Sequence, residues 1–283
     1  FVEEQREFED GAPPQFGGGM MGSDDVRLKY TDDEYDSYKN IFENAKTDIS
    51  NADKKRLIGS LKKLGQGEDI ESVVDVEAVI RYFVVHNFVC NFDSYTGAMV
   101  HNYYLYEENG TLSMIPWDYN LAFGGFEAGT EAGSMVNFPI DSPVSGGDVE
   151  DRPMLSWIFE TEEYTGRYHR YFQEFMDSYF DSGYFEELIT SVKEMIAPYV
   201  EKDPTKFCSY EEFEKGVDTL KKFCLLRAES ISGQLDGSLP STAQGQQRDS
   251  SNLVDASGIL LSDMGMMDKG GGDAGRRKER KGK

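Results

Sequence analysis

Helical spacing of apolar side chains governs most of this chain and is broken once, by two β-rich runs. Thr31-Asp-Asp-Glu34 reads as a capping box, with Thr31 as N-cap and Glu34 at the third helical position. Tyr35, Tyr38, Ile41 and Phe42 then mark one helical face. A second helix is expected from about Asp53 to Leu64, apolar at Leu57, Ile58, Leu61 and Leu64 and stopped by Gly65. The third helix differs. It starts at Asp75, with Glu77 near the positive end of its dipole. Val76, Val79, Ile80, Phe83, Val84, Phe88 and Val89 leave it almost no polar face, so it belongs at the centre of the core. It delivers the chain to Asp93.

The break in helical spacing follows. "HNYYLYE" and "TLSMIPWD" are aromatic and aliphatic, and the Asn-Gly between them predicts a hairpin of about 102–107 and 111–117. Antiparallel strands return to where they began, so Asn102 and Asp118 lie at the same open end whatever the register. From about Ser156 the pattern is helical again, with a second capping box at Ser209 and Glu212. Residues 1–23 are rich in Gly and Pro and read as flexible. Residues 236–283 are Gly, Ser, Gln and charge without a period and read as disordered linker or tail. No internal repeat is visible, and the fold class is α+β, mainly helical.

Composition narrows the function. The net charge of the 283 residues is -23. Such a chain repels nucleic acid, which needs basic surface. It suits a solvated protein, a cation-binding protein or one acting on basic partners. No apolar run approaches the ~20 residues of a membrane span. Cys90, Cys208 and Cys224 form neither a disulfide framework nor a zinc motif, and Cys90 and Cys224 read as buried thiols. His86, His101 and His169 show no metal-ligand spacing.

What remains is the group around the hairpin. Mg2+ favours oxygen ligands from one or two carboxylates plus substrate phosphates, which Asp118 and Asn102 can offer. Phosphoryl transfer also uses a carboxylate to orient and deprotonate the attacking hydroxyl, and Asp93 follows a buried helix where that role is possible. The order Asp, Asn, Asp matches the catalytic Asp, metal-binding Asn and second metal-binding Asp of protein kinases. A structural reading stands beside it. Asp93 before Ser-Tyr-Thr-Gly suits an Asx-turn, Asp118 can cap the turn after it, and Trp117 and Phe123 can be core.

"NFDSYTG", "HNYYLYEENG" and "IPWDYNLAFGG" together closely resemble the CotH family of atypical kinases. "DVRLKYTDDEYDSYKNIFENA", "RPMLSWIF" and "LLRAESISGQL" resemble that family's flanking segments, so the likeness covers roughly residues 24–235. The resemblance implies a protein-kinase-like second lobe whose β-hairpin carries the metal site. The activity it implies is transfer of phosphate from ATP, with Mg2+ or Mn2+, to serine of secreted, cell-surface or spore coat proteins of bacteria. Asp93 matches the catalytic position and Asp118 the metal-binding position of the Trp-Asp motif. Asn102 takes a supporting metal role. Asn120 stands where many members have a second Asp, and still offers an oxygen. The family's phosphate-gripping Lys comes from an N-terminal lobe. Residues 1–23 do not read as that lobe, so this segment is expected to be inactive alone. A reading from another class is a non-catalytic coat or cell-surface scaffold with a degenerate kinase fold.

Overall fold

The computed structural model describes residues 22–127 and 131–265. The expectations for 1–21 and 266–283 lie outside them. Within the described residues the protein is mainly helical with one two-stranded antiparallel sheet.

The first helix does not begin at Thr31. The chain stays non-helical through Glu34, makes a 3-10 turn over Tyr35–Tyr38 and only then forms α1 (Lys39–Glu43). The reason is local competition. The buried Tyr38 hydroxyl accepts the Thr31 N–H at 2.8 Å and donates to the Asp32 carbonyl at 2.8 Å. The Asp32 carboxylate takes the Glu34 N–H and the Ser37 hydroxyl, each at 2.9 Å, so it occupies the capping role expected of Thr31. Helix α2 (Asn51–Gln66) is capped by Ser50 and Asp53 in a reciprocal box and ends at Gly67, in the left-handed region with φ 64°, rather than at Gly65. It buries Leu57, Ile58, Leu61 and Leu64 as its spacing predicts.

Helix α3 (Val76–Phe88) is capped by the Asp75 carboxylate, which accepts the Ala78 N–H at 3.0 Å. Nine of its thirteen residues are buried, which makes it the central element. The hairpin pairs β1 (Tyr103–Glu108) with β2 (Thr111–Pro116), from Tyr103 opposite Pro116 to Glu108 opposite Thr111. Asn109 and Gly110, with φ 55° and 94°, supply the left-handed turn that Asn-Gly favours. Leu112 N–H donates to the Val73 carbonyl at 2.8 Å and its carbonyl accepts the Asp75 N–H at 2.9 Å, which ties the hairpin to the start of α3. An isolated hairpin is marginal in water, so this tether matters.

The helices that follow are α4 (Ala132–Val136), α5 (Pro153–Ser156), α6 (Glu162–Met176), α7 (Tyr184–Lys202) and α8 (Tyr210–Asp236), the last with the predicted Ser209–Glu212 capping box. Of these, α6 packs directly on α3, and α8 packs on α4, α6 and α7. The core runs from Leu61, Ile80 and Phe83 to Trp157, Tyr168, Phe172 and Phe223, all fully buried. Cys90 and Cys224 are buried as expected.

The segment after 236 departs from the reading of a disordered tail as far as it is described. It forms α9 (Ala243–Arg248) and a 3-10 turn at Leu261–Met264, and buries Leu239, Ala256, Ile259 and Leu261. Asn137 holds it: its Oδ1 accepts the Val254 N–H at 3.0 Å, and its carbonyl accepts Gln246 Nε2 at 2.7 Å. A few isolated apolar anchors order this stretch, which is why it shows no period. Among the described residues no helix is long and apolar enough to cross a membrane.

Candidate functional site

The site is built where α3 stops. Cys90 takes the left-handed conformation (φ 47°) and the chain enters a tight loop. Gly97 is obligatory there, because a Cβ at that position would lie 1.8 Å from the Phe92 carbonyl oxygen. The loop is clamped by the fully buried Arg152. Its Nε donates to the Tyr95 carbonyl at 2.8 Å, and its Nη2 to the carbonyls of Gly97 and Gly146 at 2.9 and 2.7 Å. Burial pulls its pKa down from the usual guanidinium range. The Tyr95 hydroxyl donates to the Arg27 carbonyl at 2.9 Å, so both ends of the turn are pinned.

Asp93 sits in this loop and is 7% exposed. Its Oδ2 accepts Asn102 Nδ2 at 3.1 Å. His101 Nε2 lies 2.8 Å from Oδ1. That contact is not aligned as a hydrogen bond, and Oδ1 is left without a donor. Asn91, two residues earlier and fully buried, has neither amide atom hydrogen-bonded within the protein. A buried carboxylate oxygen and a buried amide without partners are costly unless something outside the chain satisfies them.

Asn102 and Asp118 flank the open end of the hairpin. Both are left-handed, with φ 50° and 56°, a conformation Asn and Asp tolerate better than most residues. Val100, two residues before Asn102, is also left-handed at φ 52° although β-branched, and it is buried. Strain of this kind persists only where the surroundings over-determine the backbone.

Of the predicted site residues, the structure brings Asp93 and Asn102 into contact. Asp118 and Asn120 are exposed on the turn after β2, and among the described residues no hydrogen bond or ion pair joins them to Asp93 or Asn102. Trp117 is 52% exposed, so it is not core; its ring stands edge-on to Tyr104 at 5.0 Å. Phe123 does pack on the core, and its N–H donates to the Val89 carbonyl, closing the turn back on α3. A broad concavity between residues 131–139 and 243–262 includes none of the four predicted residues.

Four residues here escaped the sequence reading. His86 is buried on α3 and touches both loops: its Nδ1 is 2.7 Å from the Tyr119 hydroxyl, and its Nε2 is 2.8 and 3.0 Å from the hydroxyls of Ser94 and Thr96. Burial lowers its pKa to about 3, so it is neutral. Burial likewise pushes Tyr119 up to about 12. A lone histidine in an apolar helix was the available signal for His86. His101 and Arg152 carried none, since their partners come from packing.

Two comparisons bear on this arrangement. The chain is 26% identical, over 181 residues, to the inner spore coat protein H of Bacillus subtilis (strain 168). The match covers 63% of this chain and 46% of that protein, so the chain spans under half the length of the relative it matches. The model of the family described as CotH kinase protein matches residues 15–231. That span includes α1 to α7, the Asp93 loop, the hairpin and most of α8, and on it the chain belongs to the CotH kinase protein family.

Proposed function

We propose that this chain is the kinase-like second lobe of a protein serine kinase that modifies spore coat or other extracellular proteins. Its hairpin carries the metal site. The observation that carries the reading is the Asp93 carboxylate, buried in a clamped loop with Oδ1 free of hydrogen-bond donors and Oδ2 held by Asn102. A general base needs a fixed orientation and an acceptor oxygen not already taken by a hydrogen bond. Oδ1 meets both, and a substrate hydroxyl reaches it by displacing the His101 ring that lies 2.8 Å away. Asn102 orients the carboxylate, and the serine proton passes to Oδ1 as the serine oxygen bonds to the γ-phosphorus of ATP and the bond from that phosphorus to ADP breaks, with ADP leaving.

The donors present fit a hard divalent cation such as Mg2+ or Mn2+. They are oxygens of Asp118, Asn102 and Asn120, and the buried Asn91 and Asp93 have atoms lacking partners. When bound with ATP, such a cation supplies neutralisation of charge on the transferring phosphoryl group. Asp118 is its carboxylate ligand, held by the left-handed turn, with Asn120 a neutral neighbour. The relative named as an inner spore coat protein supports a spore coat setting. The competing reading is a non-catalytic scaffold. It is favoured by one observation: Asp118 and Asn120 are exposed on the turn after β2, and among the described residues no hydrogen bond or ion pair joins them to Asp93 or Asn102.

Metal-dependent ATP binding and phosphate incorporation, measured on the full-length protein, separate the two. Asp93→Asn keeps nucleotide binding and lowers transfer by about 10²–10⁴-fold. Asp118→Asn weakens metal-nucleotide binding. If both variants fold and transfer phosphate like the parent, the two aspartates are misassigned. If the parent neither binds nucleotide nor transfers phosphate, the scaffold reading holds.

A further inference from the structure

We infer that His86 is a positioning residue that couples the Asp93 loop to the Asp118 turn, acting as a neutral imidazole protonated on Nε2. Its consequence for phosphoryl transfer rests on the function proposed above; the coupling itself does not.

The direction of the hydrogen bonds follows from one hydroxyl. Ser94 Oγ donates to the Asn91 carbonyl at 2.6 Å, so its proton is committed. The same oxygen lies 2.8 Å from His86 Nε2 and can only accept there. Nε2 therefore carries the proton, with Thr96 Oγ1 at 3.0 Å as a second acceptor. A neutral ring has a single N–H, so Nδ1 is the acceptor, and Tyr119 O–H donates to it at 2.7 Å. The chain of donors runs from Tyr119 to His86 to Ser94 to the Asn91 carbonyl. Tyr119 is the residue after Asp118, and Ser94 the residue after Asp93.

The ring has little freedom to do otherwise. Tyr82 stacks on it at 5.1 Å and 18°, while Phe83 and Tyr119 stand edge-on at 6.3 and 5.6 Å. No charged side chain is hydrogen-bonded to it. The buried side chain thus spans two loops that make no direct hydrogen bond between their candidate residues. It is placed to transmit a shift at one to the other through a contiguous packed network.

The test uses ¹⁵N-histidine NMR on the intact chain, where three histidines give a readable spectrum and His86→Gln assigns one of them. The expected result is a single tautomer with Nε2 protonated. Tyr119→Phe, at a half-buried site, should raise the Nδ1-protonated share and move the Ser94 and Thr96 amide signals. A parent protonated on Nδ1, or a Tyr119→Phe change confined to the 118–123 turn, overturns the coupling. In the full-length protein, Tyr119→Phe and Ser94→Ala should each lower kcat by about threefold to tenfold with nucleotide KM little changed. The double variant should be no worse than the worse single, because either break uncouples the loops. Multiplying losses overturn the proposal as well. A parent without transfer activity removes the proposed function, and the NMR result then decides the coupling alone.

Discussion

Between residues 89 and 123 the backbone is left-handed at six non-glycine residues: Cys90, Val100, Asn102, Asn109, Asp118 and Phe123. Helix α7 has nineteen residues of regular helix and buries none of them. The first region makes little conventional secondary structure beyond the hairpin, and is held by Arg152, His86, Tyr95 and the Phe123–Val89 bond. A second buried arginine, Arg227, joins Asn87 of α3 to the carbonyls of Val136 and Phe138. Helix α7 makes its own backbone hydrogen bonds except at Pro198, which has no N–H to donate. It meets α8 partly through Lys193 with Asp218 and Lys221 with Glu186, while Leu188, Val192, Met195, Ile196 and Tyr199 stay exposed. Irregular backbone needs tertiary contacts to exist at all, whereas regular helix survives with few. The candidate site lies in the first kind, where each residue's position is imposed by others.

The sharpest way to break that contrast is Arg152→Met. It strands three carbonyls, of Tyr95, Gly97 and Gly146, in a buried place. The expected loss is about 3 kcal/mol or more, seen as a fall in Tm of roughly 10 °C in a thermal melt. A loss below about 1 kcal/mol means the loop is held by something else. Leu261→Ala probes the ordered stretch after α8; burial of this side chain predicts a loss of about 2–4 kcal/mol in urea unfolding. A neutral result would return that stretch to the status of a tail.

The third test is pH. His86 has a folded pKa of about 3, below the usual histidine value, so the unfolded chain binds the extra proton between the two. Stability from this group is therefore full at neutral pH and falls as pH drops from about 6.5 toward 3. The slope approaches about 1.4 kcal/mol per pH unit. His86→Gln should flatten that part of the profile relative to the parent. Equal slopes in the two proteins exclude a buried neutral His86. The smallest effect belongs to α7. Leu188→Ala and Met195→Ala should each change stability by no more than about 0.5 kcal/mol, and α7 amides should exchange faster than those of α3. Protection of α7 equal to that of α3 would show that its outer face is covered.

The hairpin was legible because Asn-Gly is a local signal whose turn geometry needs no other part of the chain. The caps at Asp75 and Ser209 were legible for the same reason. Thr31 failed because Asp32 and the Tyr38 hydroxyl compete for the same amides, and a capping pattern does not say which acceptor wins. The pairing of Asp93 with Asn102 was anticipated only as an order along the chain; their contact depends on the Gly97 turn and the distant Arg152. His101 beside Asp93 and His86 between two loops were hidden, since neither is marked by spacing.

The sequence by itself determined the helical periods, the hairpin with Asn102 and Asp118 at its open end, the caps at Asp75 and Ser209 and the burial of α3. These are effects of neighbours within a few residues, where side-chain period and backbone preference act directly. Tertiary structure alone decided that Asp93 Oδ1 is buried beside His101 without a hydrogen-bond donor, that Trp117 faces solvent, that Leu261 is core and that two loops meet through one imidazole. Each of those depends on which distant groups fill a given volume or satisfy a given donor, and a buried polar atom acquires its partner only once the chain has closed around it.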